Sequence, residues 1–104
     1  MLWDPANACW CHERAFPDGY DELRGGYPGH VHIKDVLVDT PHATLEVRPM
    51  GEGQLGPLFQ PIADALRSDG YAGVVSFESV YHLGDGNFEA GFRRCIARFR
   101  AHFA

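Results

Sequence analysis

Five apolar residues at helical spacing, flanked on each side by a short β-rich run, constrain this chain more than any other feature. Leu55, Leu58, Phe59, Ile62 and Leu66 fall at i, i+3, i+4, i+7 and i+11, the signature of a helix with one buried stripe. His30 to Val36 before it and Gly73 to Phe77 after it read as strands. A strand, a helix and a second strand imply parallel pairing through a right-handed crossover. Phe88, Phe92, Cys95, Ile96, Phe99 and Phe103 form a second helical stripe, and Asp18 to Arg24 a short helix ended by Gly25-Gly26. The expected order is β-α-β-α-β-α in a single domain over 1–104, with strands at about 1–4, 30–37 and 73–78. Helices are expected at about 18–25, 55–69 and 86–103, and Asp39 to Gln54 is expected to be a loop. An open doubly wound sheet and a closed barrel both fit this order. The chain has no G-x-G-x-x-G turn after a strand, which weakens a dinucleotide-binding version.

Alternation along the strands separates their faces. Val31 and Ile33 share one face, and Val75 and Phe77 another of the same kind, suited to packing on helices. The opposite faces carry His30, His32 and Lys34, and Val74, Ser76 and Glu78. Asp4 and Glu78 come where their strands run out, and His32 lies late in its strand. In parallel α/β proteins the carboxyl ends of the strands share one rim, where active sites lie. Three residues far apart in sequence are therefore expected to converge. An inward carboxylate is costly unless paired or bound to a metal. An Asp, a His and a Glu make a mixed oxygen/nitrogen donor set, suited to Mn²⁺, Mg²⁺, Co²⁺ or Zn²⁺.

Charge narrows the partners. The net charge is -5, and no basic stripe is present to neutralise phosphates, so a nucleic-acid partner is disfavoured. Arg93, Arg94, Arg98 and Arg100 fall late in a helix, where cations suit the negative end of its dipole. No apolar run approaches the roughly 20 residues that span a bilayer, and no secretory signal opens the chain. A cytoplasmic location is expected, with Cys9, Cys11 and Cys95 as free thiols. The Cys9-Trp10-Cys11-His12 run lacks the second ligand pair of a structural zinc site.

Several pieces occur together in order: Leu2-Trp3-Asp4-Pro5-Ala6-Asn7-Ala8, Pro17-Asp18-Gly19-Tyr20, His30-Val31-His32-Ile33-Lys34-Asp35, Arg48-Pro49-Met50-Gly51-Glu52-Gly53 and Gly70-Tyr71-Ala72-Gly73-Val74-Val75-Ser76-Phe77-Glu78. In this order they resemble the sugar phosphate isomerases and epimerases of the xylose isomerase-like TIM-barrel superfamily. The resemblance implies an α/β fold, the C-terminal part (about three β/α units) of a (β/α)₈ barrel of about 250 residues. It implies Asp4, His32 and Glu78 as metal ligands and Glu78 also as the catalytic acid/base group. Asn7, Arg48 and Lys34 would contact a small carbohydrate substrate, although a rim salt bridge is the plainer role for Lys34. The implied activity is metal-dependent isomerisation or epimerisation of a sugar, sugar phosphate or polyol ketone. An inosose dehydratase-type lyase and an endonuclease IV-like phosphodiesterase are the alternatives within the superfamily. The family's fourth ligand, a glutamate, belongs to strands earlier than these three, so the isolated chain is expected to be catalytically silent. Its exposed strand edges would favour association, including with copies of itself.

Overall fold

A computed structural model describes residues 1–26 and 28–104. Three strands, β1 (Leu2–Trp3), β2 (His30–Ile33) and a later one, β5 (Val74–Phe77), form a parallel sheet in the order β1-β2-β5. Trp3 lies beside Val31 and Val31 beside Val75, while Ile33 lies beside Phe77. This row faces the helices. Trp3, Val31 and Ile33 are buried in one cluster with Phe59, Ile62 and Leu66 of α3 (Phe59–Ser68). Phe77 meets Phe92 and Phe99 of α4 (Phe88–Phe103), each with ring centroids 5.7 Å apart. The other row of the sheet is left open. Leu2 is 52% exposed and Val74 57%, although they flank His30 on that face. Helices thus cover one face only.

Pattern and structure agree best for the two long helices, and both begin later than expected. The segment expected as a helix over 55–69 opens with a 3₁₀ turn, Gly56–Leu58, and becomes α-helical only at Phe59. Pro61 fits there because the first turn has no intrahelical use for its missing N–H. α4 starts at Phe88, where the Asn87 side chain caps it by accepting the Ala90 N–H at 3.0 Å. The expected helix over 18–25 shrinks to α2 (Tyr20–Leu23). Its start is displaced by a wide turn at Ala15–Gly19, in which Phe16 is extended.

Two expectations need correction. The strand expected over 30–37 is interrupted at Lys34. Asp35–Asp39 instead forms β3, paired antiparallel with β4 (Thr44–Arg48). The segment expected as a loop from Asp39 to Gln54 therefore contains a hairpin strand. The interruption has a local cause. The Asp35 carboxylate, 1% exposed, accepts N–H bonds from Val36, Gly51, Gly53 and Leu55 at 2.8–3.0 Å. The chain turns to bring it under the segment that follows β4. A Cβ at Gly53 would collide with that carboxylate and with the Val36 carbonyl, so only glycine allows the approach. Arginines of α4 hold the same segment from outside. Arg98 donates to the Met50 carbonyl at 2.8 Å, and Arg94 pairs with Glu52 at 3.2 Å. These arginines therefore do more than complement the helix dipole.

A further short helix, α1 (Pro5–Trp10), follows β1 directly. No helix among the described residues is long and apolar enough to cross a membrane.

Candidate metal centre

Asp4, Lys34 and Glu78 each follow directly on the carboxyl end of β1, β2 and β5, and His32 stands one residue before the end of β2. Because the strands are parallel and adjacent, these four residues meet at one rim. One donor atom from each of Asp4, His32 and Glu78 can be chosen so that all three lie within 4.8 Å of one another. Coordination bonds of about 2.0–2.3 Å put ligand atoms at such separations. Donor chemistry and reach both fit a small divalent cation. Among the described residues this is the one group of three or more His, Cys, Asp or Glu side chains within such reach. Cys9, Cys11 and His12 do not join it. Cys9 is buried, which pushes its thiol above the ordinary range, while Cys11 is exposed.

Asp4 has a second task. One of its oxygens, Oδ1, accepts the N–H groups of Ala6 and Asn7, both at 3.0 Å, and so caps α1. Its side chain is 6% exposed. This pins the carboxylate in orientation.

Lys34 occupies the middle of the cluster. Its Nζ donates to Asp4 Oδ2 at 2.6 Å and to Glu78 Oε2. The Trp10 ring of α1 covers it, with Nζ 5.3 Å from the centroid. The salt bridge expected of Lys34 at the rim is there, made to two carboxylates at once, and with the lysine side chain 5% exposed it is buried rather than solvated. Burial alone would lower its pKa, but the bonds to Asp4 and Glu78 outweigh burial and hold it above the ordinary lysine value. Glu78 and His32 form the open side of the cluster, with side chains 35% and 27% exposed. His32 Nδ1 stands 3.9 Å from Glu78 Oε2, near but not bonded. His30 bonds Ser76 Oγ at 2.7 Å and meets the His32 ring edge-on at 4.8 Å.

Of the other expected contact residues, Asn7 gives its backbone N–H to Asp4, and Arg48 makes its ion pair elsewhere. Asn7 is exposed on the first turn of α1. Arg48 ends β4 opposite Asp35 and pairs with Glu46 at 3.3 Å, with its Nε buried and unpartnered. Sequence patterning missed Trp10 as the cover of Lys34 and Asp35 as the anchor beneath the rim. Nothing in the alternation marks Trp10. The next glycine after Asp35 is Gly51, so nothing local in the sequence marked its long-range bonds to Gly51, Gly53 and Leu55.

Comparison with family models, with curated proteins and with solved structures finds no match to this chain.

Proposed function

We propose that the chain carries the carboxyl-end rim of a metal-dependent isomerase or epimerase acting on a small sugar, sugar phosphate or polyol ketone. In this reading the three parallel strands and their helices are the last β/α units of a (β/α)₈ barrel. The observation that carries the proposal is the convergence of Asp4, His32 and Glu78 donor atoms within 4.8 Å at adjacent strand ends. Asp4, His32 and Glu78 would hold the cation, Mn²⁺, Mg²⁺, Co²⁺ or Zn²⁺. When bound, it would supply Lewis-acid polarisation of a substrate carbonyl.

The remaining chemistry belongs to this chain's side chains. Glu78, on the open side, would take onto Oε the proton from the carbon beside the carbonyl. Returning that proton to the neighbouring carbon from the same side, while the hydroxyl proton passes to the former carbonyl oxygen, interconverts an aldose and a ketose. Returning it to the opposite face of the same carbon needs a second proton-bearing group, which would come from outside these strands. Asp4, dry and capped, orients without moving. Asn7 and Arg48 would contact substrate hydroxyl or phosphate groups, and a fixed hydrogen-bonding set of this kind confers selectivity. The net charge of -5 disfavours the phosphodiesterase alternative, which must approach a polyanion.

A second reading is favoured by the uncovered sheet face with its exposed Leu2 and Val74. On it, the chain is silent alone and turns over only with a complementing β/α segment or a second copy joined at its strand edges. Proton NMR in D₂O separates the two. With Mn²⁺ or Mg²⁺ present, the chain should exchange the carbon-bound proton beside the carbonyl of a small ketose, and Glu78→Gln should not. Exchange by the wild type that survives Glu78→Gln would refute the role of Glu78. No exchange by the wild type on any of a panel of small ketoses and aldoses would favour the silent reading.

A further inference from the structure

Lys34 is the only lysine in a chain with eight arginines, and it is buried between two carboxylates rather than solvated. We propose that the Lys34 ammonium is the resident occupant of the cation position, so that a divalent ion and Lys34 compete for the same two oxygens. The proposal rests on the cation-binding reading of Asp4, His32 and Glu78.

The geometry carries it. Asp4 Oδ1 is committed to the Ala6 and Asn7 N–H groups that start α1, which leaves Oδ2 as the oxygen able to face a ligand. Lys34 Nζ holds that oxygen at 2.6 Å and also holds Glu78 Oε2. The same Glu78 oxygen is the one nearest His32 Nδ1, at 3.9 Å. An ion coordinated by these three residues would lie against the ammonium, and two cations in a space sheltered from water repel strongly. Entry of the ion therefore displaces Lys34. The Glu78 and His32 side of the cluster is the more exposed, so the lysine leaves toward it, away from Trp10.

Lys34 thus has two consequences for the site. In the absence of an ion it bridges Asp4 and Glu78, offsets one of their two negative charges, and so keeps the rim assembled. In the presence of ions it raises the concentration needed for occupancy. It is a positioning residue and not a catalytic one.

Two independent measurements test this on the whole 104-residue chain. In the first, Co²⁺ is titrated into wild type and Lys34→Met, read by calorimetry and by visible absorption. Methionine keeps the stem that packs against Trp10 and removes the charge. One ion should bind Lys34→Met at least tenfold more tightly than wild type, and adding His32→Ala should abolish the gain. In the second, the wild type is acylated with an amine-reactive ester, and Lys34 is followed by peptide mass. Since no other lysine competes, labelling should be slow without Co²⁺ and several-fold faster at saturating Co²⁺. Equal or weaker Co²⁺ binding by a folded Lys34→Met, or a Lys34 that stays protected in ion-saturated wild type, overturns the competition while leaving the cation site standing. Failure of both proteins to bind Co²⁺ overturns the cation site and the competition together. If Lys34→Met does not fold, the labelling of the wild type decides alone.

Discussion

Replacing Asp35 by asparagine isolates the device that fixes the floor of the rim. The side chain keeps its shape, but one oxygen becomes an NH₂ group. In the native chain Oδ1 serves the Val36 and Leu55 N–H groups, each at 3.0 Å, and both bonds are buried. Oδ2 serves Gly51 and Gly53 at 2.8 and 2.9 Å, where water has partial access. The amide oxygen should therefore stay with the buried pair, leaving the two glycine donors facing another donor. A stranded donor costs about 1–3 kcal/mol, and partial access to water favours the lower half of that range. Two of them give about 2–4 kcal/mol. Burial pushes the Asp35 carboxyl above its ordinary pKa against the pull of the four N–H bonds, so removing the charge returns part of that cost. The expected net loss is about 2 kcal/mol by urea denaturation. Amide exchange at Gly51 and Gly53 should accelerate, while exchange in β2 and β5 away from the rim changes only with global stability. A loss below about 0.5 kcal/mol, with the two glycine amides still protected, would refute the assignment of Asp35 as the anchor.

Two further predictions concern stability. Asp69 accepts Arg24 Nη2 at 2.7 Å and the Tyr20 hydroxyl at 2.8 Å, and Arg24 first, then Tyr20, holds its carboxyl below the usual value of 3.8. That contribution is complete above pH 3.8 and is lost as the pH falls through the lower folded value, so Asp69→Asn should flatten the acid limb of the stability curve. At the other end burial, then the bond to Asp69, pushes Tyr20 up to about 12. Its contribution is intact below pH 10 and fades toward 12, and Asp69→Asn should bring that fading to lower pH, read by tyrosinate absorbance. Phe59, fully buried where α3 meets Phe103, should cost about 3–5 kcal/mol on truncation to alanine, measured by thermal or urea unfolding.

Much of the fold was legible because its signals were periodic. Val31, Ile33, Val75 and Phe77 alternate cleanly, and their burial row is the one the pattern assigns to the helices. The convergence of Asp4, His32 and Glu78 followed from one rule about the carboxyl ends of parallel strands. What escaped was short or masked by chemistry that reads two ways. The β3–β4 hairpin turns through Thr40–His42 and an Ala43 in the left-handed region, φ 52°. No glycine or asparagine marks that turn, so the alternation of Leu45 and Val47 with Glu46 and Arg48 stood without a partner strand. α1 is six residues long, too short to show a period, yet Asp4-Pro5 is a cap followed by a proline at the first helical position. Asp4 was read as a ligand, and its capping role was hidden behind that. The place of Lys34 depends on how far a flexible stem reaches, which alternation along a strand does not give. Its solitude among eight arginines was the available hint.

The most direct measurement of the central claim is the anomalous scattering from a crystal of the chain soaked in Co²⁺ at tens of millimolar. One peak should appear within coordination distance of an Asp4 oxygen, a His32 nitrogen and a Glu78 oxygen, with the Lys34 side chain turned out toward the open side. No peak at that rim, with Lys34 still bridging the two carboxylates in the soaked crystal, would contradict it.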